Sequence, residues 1–119
     1  MMAFTFDLIS DLHVDSWGDT FDWIGHGTSA HCLVVGDIAQ DRHEVIECLK
    51  HLGKCYQAVF YIDGNDEHKP YINDLGNSYR DLMERVTGVH NIVFLQDNVV
   101  VVDGVAILGT NGWWGFDFD

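Results

Sequence analysis

The sequence predicts an α/β fold built on a mainly parallel sheet. Three observations carry this. Short apolar runs alternate with longer amphipathic stretches from Ala3 to Leu95, the strand–helix rhythm of layered α/β proteins. Capping and stop residues fall at the ends of those stretches. An Asp103-Gly104 pair between two valine-rich runs then marks a hairpin.

Ala3 to Ile9 reads as the first strand, with Phe4, Phe6 and Leu8 alternating with Thr5 and Asp7. Val14 to Ser29 mixes Trp17, Phe21, Trp23 and Ile24 with Gly and Asp, which predicts a loop with a short helix. His31 to Val35 is the second strand, ended by Gly36. A helix follows from Asp41 to Leu52. Asp41 and Glu44 suit a capping box, Val45, Ile46, Leu49 and Leu52 share a face, and Gly53 suits the helix stop. Ala58 to Ile62 is the third strand. Asp74 to Thr87 is the second helix, with Leu75, Tyr79, Leu82, Met83 and Val86 as its apolar stripe and Gly88 as its stop. Asn91 to Leu95 is the fourth strand. Val99 to Val102 and Val105 to Leu108 are the arms of the hairpin.

The chain has 119 residues, which predicts one domain over residues 1–119, and its 47% hydrophobic content is enough for a core. Nineteen acidic against six basic side chains give a formal charge of -13. That argues against nucleic acid or an anionic membrane as partner. Cys32, Cys48 and Cys55 lack paired or zinc-ribbon spacing, so free thiols in a reducing compartment are expected. MMAFTFDLIS lacks a basic n-region and a long apolar core. No run reaches the roughly 18 apolar residues of a membrane span. The expected location is the cytoplasm, with no membrane partner.

The chemistry is concentrated at strand ends. Ser10-Asp11-Leu12-His13 follows the first strand, Gly36-Asp37 the second, and Gly64-Asn65-Asp66-Glu67 the third. In parallel α/β sheets ligands bind beyond the carboxyl ends of the strands, so these segments can converge. Asp11, His13, Asp37 and Asn65 are the candidate metal ligands. Carboxylate, imidazole and amide oxygen together suit Mn, Fe, Ni or Zn, and one carboxylate can bridge two ions. Alone, each residue is ordinary: a strand-end Asp is usually a turn former or cap, and a lone His is usually structural. Their order and placement together are specific.

SDLH, VVGDIA and IDGNDEH resemble the motifs D-x-H, G-D and G-N-H-D/E of the calcineurin-like metallophosphoesterases. The resemblance covers nearly the whole chain. It implies an αββα sandwich and two divalent metal ions. Asp11 and His13 would bind the first metal, Asp37 would bridge both, and Asn65 would bind the second. It further implies hydrolysis of a phosphomonoester or phosphodiester by a metal-bridging hydroxide, between ions roughly 3.5–4 Å apart. A phosphate-ester small molecule or a phosphoprotein would be the substrate.

Two departures follow. Asp66 stands where the family has a His that aids leaving-group protonation. An Asp beside two cations favours its charged form and is a poor proton donor. His68, two residues on, is the alternative donor, although it also reads as a solvent-facing loop residue. Asp66 and His68 are thus the candidate catalytic residues. The family's later isolated His and G-H-x-H are not found, since only His90 follows His68, and it reads as structural or surface.

The chain is therefore expected to be the N-terminal portion of a phosphoesterase domain. Its sandwich would be incomplete at the C-terminal side, with a partner chain or the remaining half supplying the rest. The aromatic stretch from Gly112 to Asp119 agrees with this; its other reading is a tail packed on its own core. The exposed inner face of such a half-sandwich would favour aggregation or oligomers. Substrate selection would fall to the loops from Trp17 to His26 and Trp113 to Phe118. A non-catalytic scaffold of the same fold is the competing reading. A nucleotide-binding module ranks last, because neither glycine-rich phosphate fingerprint is present.

Overall fold

A computed structural model describes residues 4–16 and 27–110. Four strands, β1 (Asp7–Ile9), β2 (His31–Val35), β3 (Ala58–Ile62) and β4 (Ile92–Phe94), form a parallel sheet in the order β1-β2-β3-β4. Helix α1 (Arg42–Cys55) joins β2 to β3, and α2 (Leu75–Thr87) joins β3 to β4. Strands β5 (Asn98–Val102) and β6 (Val105–Gly109) make a separate antiparallel pair. Short 3-10 turns lie at Val14–Ser16 and Asp66–Tyr71. The α/β prediction and its element order hold for these residues. Most of the predicted 14–29 loop, and the 112–119 stretch, lie outside them.

The sheet is apolar on both faces, and the two helices cover one. Asp7, Cys32, Val59 and Ile92 stand level across it, as do Ile9, Val34, Tyr61 and Phe94. These rows point toward the helices. Cys32, Val34, Val59, Tyr61, Ile92 and Phe94 share one core with Val45, Cys48, Leu49 and Leu52 of α1 and Leu82 and Val86 of α2. Right-handed crossovers between sequential parallel strands place both helices on the same side. On the opposite face Leu8 is 65% exposed and Val35 47%. A groove of about 280 Å³ separates that face from the hairpin, lined by Leu33, Phe60, Ile62, Leu95 and Leu108.

Local chemistry sets most boundaries. Asp41 caps α1 by accepting from the Glu44 N–H at 3.1 Å. Asp103 and Gly104 both take positive φ, 51° and 79°, the two-residue turn that matches strand twist. All three cysteines are free, and burial pushes Cys32 and Cys48 up to about 12, a range in which a thiol stays unreactive.

Four predicted details differ. β1 is shorter than predicted: the ladder starts at Asp7–Cys32, and ahead of it the Ser29 hydroxyl donates to Thr5 O. β4 loses Asn91 and Leu95. Gly53 does not stop α1, which runs on to Cys55. The cause of that is Asn91. Its Nδ2 donates to Gly53 O, Tyr56 O and Gln57 O at 2.8, 2.9 and 3.2 Å, capping the helix end from outside. A Cβ on residue 53 would come within 2.8 Å of the Asn91 Oδ1, so the glycine serves close approach. Met83 lies outside the buried stripe of α2, which runs Ser78, Leu82, Val86. A serine occupies a core position there because Arg42 and His68 both use its hydroxyl.

Asn91 has φ 57°, which glycine accepts without strain. Replacing Asn91 with Gly should therefore remove the cap without distorting the turn. Urea denaturation should show a loss of about 1–3 kcal/mol, from carbonyls left without a donor. A loss under a few tenths would show that the cap contributes nothing.

Candidate metal centre

The parallel register puts the ends of β1, β2 and β3 side by side, with Ile9 level with Val34 and Val35 level with Ile62. Beyond them the connecting loops continue to pair. Asp11 N donates to Gly36 O at 3.1 Å, His13 N to Asp37 O at 3.1 Å, and Val14 N to Ile38 O at 2.7 Å. Two chain segments thus run together past the sheet, and their side chains meet. Ligand atoms of Asp11, His13 and Asp37 all lie within 4.8 Å of one another. Among the described residues this is the cluster with metal-ligand character.

Each of these three residues is left-handed, with φ 56° at Asp11, 48° at His13 and 59° at Asp37. Asp, Asn and His tolerate this region better than other side chains. It is not unique to the site, because Asn91, Asp97 and Asp103 share it in ordinary turns. Gly36 and Gly64 let the loops touch: a Cβ on Gly36 would lie 2.9 Å from Gly64 Cα. A Cβ on Gly64 would lie 2.7 Å from Asp37 N and collide with Asp37 Oδ1.

Asn65 joins the cluster through Asp37. With its amide turned to suit its neighbours, Nδ2 donates to Asp37 Oδ1 at 3.1 Å and Oδ2 at 3.3 Å. Asp66 N donates to Asp37 Oδ1 at 2.9 Å. The Asp66 side chain lies beside His13, with Oδ2 2.8 Å from His13 Nδ1, while Lys69 Nζ is 3.0 Å from Oδ1. His13 Nε2 faces Asp11 Oδ1 at 3.8 Å. Burial pushes the Asp37 carboxyl above the usual carboxylate range, and the neighbouring carboxylates of Asp66 and Asp11 push it the same way. Carboxylates crowded around an imidazole and an amide are a donor set that a divalent cation relieves, so these residues fit such an ion.

His68 is placed differently. It is fully buried, not at the loop surface. Nε2 meets Asp63 Oδ2 at 2.5 Å and Nδ1 meets Ser78 Oγ at 2.6 Å, and Tyr79 packs on the ring. Both ring nitrogens are thus engaged inside the protein. Pro70 and the 3-10 turn at Asp66–Tyr71 carry it inward under α2.

Glu67 was not among the predicted site residues, yet it holds the site's backbone. Its Oε1 accepts from Asp37 N at 3.0 Å and Gly64 N at 3.1 Å; its Oε2 accepts from Ile38 N at 3.2 Å and Tyr61 OH at 2.7 Å. Burial pushes its carboxyl up to about 7, against the pull of these donors. Arg42 completes the support, donating to Glu67 O and Ser78 Oγ at 2.9 and 2.8 Å. One signal for this was available: Asp63, Asp66, Glu67 and His68 put four ionisable side chains within six residues of an apolar strand.

Two consequences are measurable. Gly64→Ala must displace Asp37, since the new Cβ has no room, and Mn²⁺ affinity should fall at least ~10-fold by calorimetry; unchanged affinity would show that the close approach is dispensable. The second concerns pH. A buried Glu67 raised from 4.5 to about 7 binds its proton more tightly when folded. Its share of stability is therefore full below pH 4.5 and is lost as pH rises to about 7. That share is at most roughly 3 kcal/mol in the metal-free protein. The fall should appear in urea-denaturation stability and flatten in Glu67→Gln.

No family profile and no curated protein matches this sequence. A solved structure does: the phosphopantetheinyl hydrolase from Mycobacterium tuberculosis, at a TM-score of 0.68 and 22% identity. The match covers 83% of this chain and 38% of that one. At this identity the likeness is one of fold alone.

Proposed function

We propose that this chain carries the metal-binding part of a phosphoester hydrolase. The observation that carries the reading is the convergence of Asp11, His13 and Asp37 within 4.8 Å at the carboxyl ends of adjacent parallel strands. A fold shared with a protein named as a hydrolase supports it, as does the resemblance of the three strand-end motifs to calcineurin-like metallophosphoesterases. The apolar sheet face beside the hairpin fits the inner face of an αββα sandwich.

Two divalent ions, of Mn, Fe, Ni or Zn, would supply Lewis acidity, activating water near neutral pH and neutralising phosphoryl oxygens. Asp11 and His13 would hold the first ion. Asp37, between them and Asn65, would be shared by both, and the Asn65 amide, turned so that its oxygen replaces the nitrogen facing Asp37, would serve the second. Glu67 fixes Asp37 before any ion arrives, which avoids ordering a loop during catalysis. The substrate class is a phosphate ester of a small molecule or a protein, since the net charge of -13 disfavours nucleic acid. The cytoplasm remains the proposed location; among the described residues no helix is long and apolar enough to cross a membrane.

Asp66, in place of the family's His, favours one second reading, a metal-binding scaffold without turnover. Both are tested by titrating the purified protein with Mn²⁺ and assaying p-nitrophenyl phosphate and its diester. The hydrolase reading expects Mn²⁺-stimulated turnover that Asp37→Asn reduces by at least ~100-fold (about 2.7 kcal/mol). Binding without turnover would establish the scaffold. No Mn²⁺ binding would remove both.

A further inference from the structure

The residue at the family's His position has a different task here. Asp66 is mostly buried, and its N–H and both carboxylate oxygens are committed. Its backbone N–H holds Asp37 Oδ1 at 2.9 Å. Its Oδ1 lies 3.0 Å from Lys69 Nζ, and its Oδ2 lies 2.8 Å from His13 Nδ1. Two bare acceptors at that separation would repel, so a proton lies between Oδ2 and Nδ1. A neutral imidazole with its proton on Nδ1 has a bare lone pair on Nε2. That atom is the one turned toward Asp11, 3.8 Å from Oδ1.

We propose that Asp66 is a positioning residue: its carboxylate fixes the His13 ring with Nδ1 protonated, so that Nε2 is the ligating atom, while its N–H fixes the Asp37 carboxylate. One residue thereby orients two ligands from two different strand ends. Carboxylate–histidine pairing of this kind fixes the tautomer and ring angle of a metal-binding His, and its loss typically weakens metal affinity 10–100-fold. The inference deepens the metal reading above and rests on it for the ion. The tautomer itself is a property of the metal-free chain. It also gives Asp66 a role other than proton donation.

The decisive measurement is long-range ¹H–¹⁵N NMR of the His13 ring in the metal-free protein at a pH where the ring is neutral. The expected spectrum shows the Nδ1–H tautomer, and Asp66→Ala shifts it toward the Nε2–H form that dominates in a free histidine. A wild-type ring in the Nε2–H form overturns the proposal, whatever the variants do. Calorimetry with Mn²⁺ is the second arm. Asp66→Ala should bind ~10–100-fold more weakly, with Asp66→Asn in between, because its amide oxygen still accepts from Nδ1–H. Equal affinities across the three proteins also overturn it. If the wild type binds no Mn²⁺, the metal reading fails, and the NMR arm still decides the role of Asp66.

Discussion

The structure around the site depends on one buried carboxylate. Glu67 accepts three backbone N–H groups and a phenol, drawn from the β2 loop, the β3 loop and β3 itself. Without it, the N–H groups of Asp37, Ile38 and Gly64 would lose an acceptor in a place water reaches poorly, at a cost of ~1–3 kcal/mol each. The carboxylate is itself costly to bury, which is why its pKa rises to about 7. The four donors are what make that burial tolerable. Arg42 reaches the same segment through the Glu67 carbonyl and ties it to Ser78 on α2. The clamp therefore joins the sheet, both helices and the site loops into one polar network beneath the candidate ligands.

The clamp explains how left-handed backbone survives at Asp11, His13 and Asp37. Asp and His tolerate this region, and the surroundings hold them in it. Here three backbone hydrogen bonds run between the β1 and β2 loops, and Glu67 fixes the β2 loop to the β3 loop. The glycine contact between Gly36 and Gly64 then sets their separation. A loop free to relax would turn these side chains outward, and the ligand atoms would disperse. The cluster of Asp11, His13 and Asp37 is thus held in place from below, by groups outside it.

What the sequence discloses follows the range of the interactions. The helices, the strands and the hairpin turn were legible because capping, periodicity and turn chemistry act within a few residues. The meeting of Asp11, His13, Asp37 and Asn65 beyond the strand ends was legible because a parallel sheet converts sequence order into side-by-side strand ends. The failures involve partners outside the residue's own element. Gly53 is passed by α1 because Asn91 caps it from 38 residues away. His68 is drawn inward by Asp63 and Ser78, and a polar ring on a loop gives no local sign of that. Ser78 takes a core position because Arg42, 36 residues earlier, needs its hydroxyl. Glu67 was concealed by its motif, in which the flanking residues carry the expected chemistry.

The charge balance gives the site its direction. Asp11, Asp37 and Asp66 converge on one imidazole, and Lys69 offsets a single carboxylate from the rim. Arg42 is spent on the network below. Protonating Asp37 is one way to relieve the repulsion, and its raised pKa reports that tendency. Binding a cation is the other, and it also satisfies a neutral His13 Nε2 and an amide oxygen, which a proton on Asp37 would not. A histidine at position 66 would have reduced the negative charge and left the His13 ring without its carboxylate partner. Asp66 instead deepens the negative potential while it fixes the geometry. On the proposed metal-binding reading, this favours retention of the ion and gives up the proton donor that a histidine would have provided.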